Sequence, residues 1–250
     1  MTKIPDAMRG PLRVHPSNPR YFTDDSGRAI YLTGSHTWAN LQDIGLAGDS
    51  PFPYGEYLDF MAEHNHNFMR LWMFEQPSRA CWTEATILFD PLPWARTGPG
   101  TANDEKPKFD LAHWNDAYFE RLRRRLVAAR DRGIYAAVML FQGWSLSVNK
   151  KGLDPWPVHP FNGDNNVNGV DVPYTGWDDE EHASLHSMHN PEVLKHQEAY
   201  VRKVVDTVND LDNVLYEIIN EGGSLEWQHH MVAFIHDYER TRPKQHPVGI

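Results

Sequence analysis

The sequence has 250 residues, of which 34 are acidic and 24 are lysine or arginine, so its formal net charge is −10 at pH 7. Hydrophobic residues make up 40% of the chain and charged residues 23%, a balance that excludes a disordered protein and allows a sizeable buried core. The acidic excess argues against nucleic acid or an anionic membrane as the main partner. The single cysteine, Cys81, excludes an internal disulfide, and no run of 18 apolar residues predicts a transmembrane helix.

The N-terminal residues 1–13 contain Pro5, Asp6 and Pro11 and lack an apolar stretch, so we expect no signal peptide in the sequence as written. The protein would then be cytoplasmic, or secreted if the true start lies upstream.

Short strands and turns are predicted for the first third of the chain. Residues 12–15, 20–23 and 29–33 have strand composition, and a hairpin turn is predicted at 24–27. The run 29–34 is expected to be the first core strand. A helix over 54–64 and a strand over 67–72 follow, and residues 75–110, rich in proline and tryptophan, are expected to form a long loop.

The middle and end of the chain alternate more clearly. Apolar residues recur every fourth position from Trp114 and predict a helix that ends at Gly133, followed by a doubly buried strand over 134–141. Residues 142–190 are expected to form a second long loop. Asn190 then caps a helix, residues 214–219 form a strand, residues 226–242 form a helix, and residues 247–250 begin a fifth strand.

This alternation of strands and helices predicts a parallel sheet of the α/β class with right-handed crossovers. The sequence predicts an incomplete (β/α)8 TIM barrel, truncated after strand four or five, because a closed barrel needs eight strands. We expect residues 1–28 to form N-terminal strands and a hairpin leading into the barrel, and residues 29–250 to form its first half.

Reacting groups in such barrels stand at the carboxyl ends of the strands. Reading the ends of the four strands gives a set of polar and aromatic candidates: His36, Trp38, Arg70, Trp72, Glu75, Gln142, Trp144, Asn220 and Glu221. Tryptophan offers a flat apolar face and an N–H donor, which suits a sugar ring. Six tryptophans lie in polar, turn-rich surroundings, either packed in the core or available to a ligand: Trp38, Trp82, Trp94, Trp144, Trp156 and Trp177.

Glu221 is the strongest candidate, because it ends an apolar run and precedes two glycines. We expect partial desolvation to raise its pKa, as suits a general acid, although a loop carboxylate or helix cap would show the same dipeptide. Asn220 beside it is expected to hydrogen-bond a substrate hydroxyl. Arg70 lies inside a strand and needs a carboxylate partner, for which Glu217 is the candidate.

Three segments carry a resemblance to a known family: residues 31–38, residues 67–72, and above all residues 201–221, which end in Asn220 and Glu221. They resemble the apiosidase-like glycoside hydrolases of bacterial polysaccharide degraders, in the clan of retaining (β/α)8-barrel enzymes. The resemblance implies a glycosidase acting on plant or microbial polysaccharide or oligosaccharide. We expect it to use no cofactor and no metal.

By this resemblance Glu221 is the general acid/base and Asn220 contacts the sugar beside the cleaved bond. Arg70, His36 and Trp72 map to the floor of the site, and Trp38 and Trp144 are expected to bind substrate. In the clan the nucleophile is a second glutamate at the end of strand seven, so we expect it outside this chain and expect residues 1–250 alone to be inactive. The oligomeric state stays open.

Two alternatives remain from the residues. A metal-dependent barrel hydrolase would use some of the 14 histidines, but His64 and His66 precede strand two at the wrong end of a barrel, and His229 and His230 diverge by about 100° on a helix. A non-catalytic carbohydrate-binding protein would use the same tryptophans.

Overall fold

The computed structural model describes residues 8–146, 151–172 and 185–250, so Trp177 lies outside the described residues. These residues form four α-helices: α1 (Tyr54–Glu63), α2 (Asp116–Arg130), α3 (Pro191–Val208) and α4 (Leu225–Glu239). The strands are β1 (Arg13–Val14), β2 (Phe22–Thr23), β3 (Asp43–Gly45), β4 (Phe68–Leu71), β5 (Ser78–Ala80), β6 (Thr83–Asp90), β7 (Trp94–Thr101), β8 (Pro107–Trp114), β9 (Tyr135–Gln142), β10 (Val214–Asn220) and β11 (Val248–Gly249). Two 3₁₀ turns cover Gly143–Ser145 and Trp156–Val158.

The central sheet has the order β11-β10-β9-β4, and each neighbouring pair is parallel. Along the chain, α2 lies between β4 and β9, α3 lies between β9 and β10, and α4 lies between β10 and β11, so the predicted α/β alternation is confirmed. The sheet of the described residues is open, with β4 and β11 at its edges, so it does not close into a barrel. Because the strands are parallel, their carboxyl ends all lie at the same end of the sheet.

Packing on the two faces of the sheet follows the alternation of side chains along β9, whose eight residues are all buried. Ala136, Val138 and Leu140 belong to one apolar cluster with buried residues of all four helices. Tyr135 and Ala137 point the other way and pack with residues of the N-terminal segment. The sheet therefore lies between a helical layer and the N-terminal segment.

Side chains cap the first turns of α3 and α4. Asn190 accepts a hydrogen bond from the backbone N–H of Val193 (3.2 Å) at the start of α3, which confirms the predicted N-cap. Ser224 does the same for Trp227 (3.3 Å) at the start of α4. None of the helices that the structure describes is long and apolar enough to span a membrane.

The predicted first core strand, residues 29–34, was wrong as a continuous strand. Ile30 pairs antiparallel with Phe22, and Gly34 pairs parallel with Phe68, as two isolated bridges. Because the bridges to Phe22 and to Phe68 are separated along the chain, no run of consecutive residues is paired. A β-carbon at Gly34 would lie 1.7 Å from the carbonyl oxygen of Phe68, so glycine is required for this approach.

The expected loop at 75–110 was also wrong, because it contains β5, β6, β7 and the start of β8. β6 lies between β3 and β5 in a small antiparallel sheet, and β7 pairs with β8 as a hairpin. Many residues of these strands are exposed or half-buried, so their sequences show little apolar alternation. Trp114 ends β8, and α2 begins only at Asp116.

Candidate active site

A small pocket of about 80 Å³ lies at the carboxyl ends of β4, β9 and β10. It is lined by five aromatic side chains, two side-chain amides and one carboxylate: Trp38, Trp72, Phe74, Trp82, Trp144, Gln142, Asn220 and Glu221. We call this set the tryptophan pocket. Trp38, Trp72, Trp144, Asn220 and Glu221 were sequence-predicted site residues, and the structure brings them together here.

Beneath the pocket, Arg70 of β4 reaches across the sheet to β10. Its Nε donates to Glu217 Oε2 (2.8 Å), and one terminal nitrogen donates both to Glu217 Oε1 and to Asn220 Oδ1 (2.8 Å). Glu217 is therefore the carboxylate partner that an arginine inside a strand was predicted to need. The Arg70 guanidinium also lies 4.6 Å from the ring centre of Trp72, a cation–π distance.

Aromatic rings continue one wall of the pocket outward. The imidazole of His36 stacks on Trp72 with ring centres 5.3 Å apart and an interplanar angle of 4°. Trp38 contacts Trp72 and Trp82 at 6.1 and 5.4 Å between ring centres, and Trp82 meets Trp144 edge-on at 5.9 Å. Partial burial and the positive charge of Arg70 lower the pKa of His36, which favours a neutral imidazole beside the pocket.

Glu221 lies just past the end of β10, and its Oε2 accepts a hydrogen bond from the indole Nε1–H of Trp144 (2.8 Å). The residue is exposed, so the expected partial desolvation of its carboxyl group was wrong. Its backbone has φ +50°, and Gly222 and Gly223 also have positive φ. This left-handed turn directly follows β10 and leaves Glu221 exposed among the residues that line the tryptophan pocket.

Gln142 at the end of β9 connects the candidate residues of two strands. Its Oε1 accepts from Asn220 Nδ2 (3.1 Å) and from the backbone N–H of Trp144 (3.2 Å). Gly143 follows, and a β-carbon there would lie 1.4 Å from the carbonyl oxygen of Glu221. The turn after β9 and the turn after β10 are therefore in backbone contact.

Glu75 was expected at the substrate-facing strand ends, and the structure corrects this placement, because the residue is 1% exposed. Its Oε1 accepts from the backbone N–H of Gln142 (2.8 Å) and lies 2.9 Å from His186 Nε2, and its Oε2 lies 3.8 Å from His159 Nε2. Burial alone would raise the pKa of Glu75, but the neighbouring histidines and the hydrogen bonds lower it. Burial lowers the pKa of His159 to about 4.

Three groups near the pocket were missed or misread from the sequence. Phe74 lies three residues past the end of β4, so no strand periodicity pointed to it. His159 and His186 lie in the segment expected to be a loop, and no local pattern links them to Glu75, since their contacts span more than 80 residues of sequence.

The histidines considered as metal ligands have other partners. His66 Nδ1 lies 3.1 Å from Ser35 Oγ, His64 Nδ1 lies 2.8 Å from the carbonyl of Phe60, and His230 Nε2 lies 2.9 Å from Glu198 Oε1. Among the described residues, no group of three or more histidine, cysteine, aspartate or glutamate side chains is placed to hold a metal ion.

Residues 79–250 match the model of a family described as Domain of unknown function (DUF6298). No curated protein matches the chain.

Solved structures of glycoside hydrolases share its fold. A glycoside hydrolase family 5 mannosidase from Rhizomucor miehei, solved as a mutant in complex with mannosyl-fructose, is 17% identical with a TM-score of 0.57, over 95% of this chain and 54% of that one. A Bacteroides vulgatus protein, provisionally assigned as a glycoside hydrolase, is 14% identical with a TM-score of 0.56, over 97% of this chain and 38% of that one. The chain thus has the α/β fold of barrel glycoside hydrolases and spans about two fifths to just over half the length of these structures.

Proposed function

The chain belongs to the DUF6298 family, and we propose that it forms the acid/base half of a retaining glycoside hydrolase barrel with Glu221 as the general acid/base. The observation that carries this proposal is an accessible carboxylate held by an indole N–H at the carboxyl end of β10, inside a tryptophan-lined pocket. A carboxyl group in this position protonates the glycosidic oxygen as the bond breaks, and as carboxylate it later activates water.

Asn220 binds a hydroxyl of the sugar beside the cleaved bond. Its Oδ1 is occupied by Arg70 and one N–H donates to Gln142, which fixes the amide and leaves its second N–H for substrate. Arg70 supports the site from below by holding Asn220, and His36 supports it from the side by stacking on Trp72.

Recognition of the sugar face falls to Trp38, Trp72 and Trp144. Trp72 is 5% exposed, and among the described residues its buried Nε1–H has no hydrogen-bond acceptor. Because that N–H is closed off from the pocket, Trp72 would offer a sugar the face of its ring and not a hydrogen bond.

The nucleophile belongs outside residues 1–250 in this proposal. Retaining chemistry needs two carboxyl groups about 5–5.5 Å apart, one of them free to attack the anomeric carbon. Glu217 is held by Arg70, and Glu75 is 1% exposed, so neither is free to attack. Residues 1–250 expressed alone are expected to be inactive, and the oligomeric state is open.

The substrate class is a plant or microbial polysaccharide or an oligosaccharide derived from it, in keeping with the resemblance to the apiosidase-like glycoside hydrolases. Because the structural neighbours include mannosidases, oligosaccharides that contain mannose are the first substrates to test.

The test is Glu221→Gln in the protein encoded by the complete gene, with Glu226→Gln as the control at an exposed carboxylate five residues on. Glutamine keeps the volume but cannot donate a carboxylic proton, so hydrolysis of natural glycosides should fall by about 10²–10⁴-fold, while sugar binding stays nearly intact. A nitrophenyl glycoside needs little protonation and should lose less. Equal hydrolysis by Glu221→Gln and wild type would refute the assignment.

A non-catalytic carbohydrate-binding protein is the second candidate, favoured by the absence of a free carboxylate pair among the described residues at the pocket. It predicts that the complete protein binds oligosaccharide through the tryptophans and hydrolyses none, and calorimetry beside a reducing-sugar assay separates the two.

A further inference from the structure

Glu75 sits where three segments of the long connection between β9 and α3 converge. Its Oε1 accepts from the backbone N–H of Gln142, its own backbone N–H donates to Ser145 Oγ (3.0 Å), and its carboxylate faces His159 and His186. All of these side chains are 1% exposed or less. The backbone and the buried carboxylate of Glu75 together tie the segment after β4 to the turn after β9 and to His159 and His186 beyond it.

Trp144 occupies the middle of that turn. The residue two before it, Gln142, and the residue after it, Ser145, both bond to Glu75, and Gln142 also accepts from the backbone N–H of Trp144. The turn is therefore fixed on both sides of Trp144. The indole Nε1–H of Trp144 donates a hydrogen bond from this turn to Glu221 Oε2 (2.8 Å).

We propose that Glu75 is a positioning residue that fixes the Gly143–Ser145 turn, so that the indole N–H of Trp144 holds the carboxylate of Glu221 in one orientation. The catalytic consequence rests on the proposed function, whereas the structural link from Glu75 to Trp144 does not. Glu221 is exposed and would otherwise sample several rotamers. With the Trp144 bond in place, its carboxyl group is held in one orientation at the pocket.

The chemistry of Glu75 fits this role better than plain packing. Burying a carboxylate is unfavourable, and here one oxygen, Oε2, has no hydrogen bond among the described residues. An apolar side chain of the same size would fill the space without that cost. What it would not supply is the acceptor that the Gln142 N–H and His186 require.

The test reads the Trp144 indole signal in a ¹H–¹⁵N spectrum of the complete protein, assigned by its loss in Trp144→Phe. Glu221→Ala defines the position of that signal without the hydrogen bond. Glu75→Leu should move the signal towards that position, whereas Glu75→Gln, which keeps an oxygen at Oε1, should restore most of the wild-type position. Glu63→Leu, the same change at an exposed carboxylate on α1, should leave it unmoved.

A folded Glu75→Leu protein whose Trp144 signal matches wild type would overturn the proposal. If Glu75→Leu does not fold, Glu75→Asp, which is one methylene shorter and withdraws the carboxylate from the Gln142 N–H, should shift the signal in the same direction; an unshifted signal there would overturn the proposal equally.

The kinetic arm compares an alkyl with a nitrophenyl glycoside of the same sugar. Displacing the acid by about 1 Å should lower kcat for the alkyl glycoside by about 10–100-fold and spare the nitrophenyl glycoside, with rescue by Glu75→Gln. An equal loss on both substrates in a folded Glu75→Leu protein would show a merely structural role. Wild-type protein that hydrolyses neither glycoside would refute the proposed function while the indole signal still decides the role of Glu75.

Discussion

Removing the guanidinium of Arg70 tests what supports the pocket from below. Arg70→Met keeps most of the aliphatic stem and deletes all donors. The Glu217 carboxylate then loses both of its contacts with Arg70, and Asn220 Oδ1 loses its donor. Since the Glu217 side chain is 16% exposed, the charge left behind is poorly solvated.

The size of the effect follows from this burial. Breaking a fully buried ion pair by removing one partner costs about 3–5 kcal/mol. The side chains of Arg70 and Glu217 are 28% and 16% exposed, so solvent screens part of the penalty, and we expect a loss of about 2–3 kcal/mol in the free energy of unfolding. For a chain of this length that corresponds to a fall in Tm of about 4–12 °C.

Arg123 supplies the matched control, because it forms a two-pronged pair with Asp210 (2.6 and 2.8 Å) whose side chains are 44% and 58% exposed. Arg123→Met should cost less than about 1 kcal/mol. Adding Glu217→Leu to Arg70→Met should recover stability, because the unpaired charge is gone. Urea unfolding measures all four proteins. If Arg70→Met costs no more than Arg123→Met, or Glu217→Leu recovers nothing, the reasoning about the buried charge is wrong.

Three further predictions address other parts of the site. Burial lowers the pKa of His159 from 6.5 to about 4, so the protein is most stable above pH 6.5, where the imidazole is neutral, and loses about 3 kcal/mol of unfolding free energy as the pH falls towards 4. His159→Gln should flatten this part of the stability profile measured by urea unfolding, and an unchanged slope would contradict the prediction. Gly143→Ala should destabilise the protein and abolish hydrolysis, since its β-carbon would meet the backbone of Glu221, whereas Gly55→Ala, with open space on α1, should raise the unfolding free energy by up to about 1 kcal/mol. In the protein encoded by the complete gene, Trp38→Ala should raise KM with little change in Tm, because Trp38 is 49% exposed. Calorimetric titration with oligosaccharide that shows unaltered affinity would remove Trp38 from the site.

The sequence predicted best those helices and strands whose buried residues form a continuous or regularly spaced apolar pattern. β9 is buried along its whole length and reads as an apolar run, and α3 combines a capping Asn190, a proline at its first position and a valine-rich face. These features are local, so they can be recognised in the sequence without knowledge of the tertiary structure. The parallel order of the sheet followed from their alternation.

The parts that the sequence did not predict depend on contacts between distant residues. β6 carries exposed residues along its first half and is a strand because β3 and β5 pair with it on either side. Glu75 has no local sign of burial, since its contacts come from segments about 70 to 110 residues away. The exposure of Glu221 depends on its backbone conformation, which a run of apolar residues before it does not reveal.

The left-handed backbone conformation of Glu221 means that the residue best for stability at this position is not the residue that the proposed chemistry needs. A side chain with a β-carbon at φ +50° is disfavoured by about 1 kcal/mol relative to glycine. A library screened for heat resistance alone would therefore be drawn towards glycine or asparagine at position 221 and would discard the carboxylate in the process. Thermostabilised variants of this protein are best selected with position 221 held fixed.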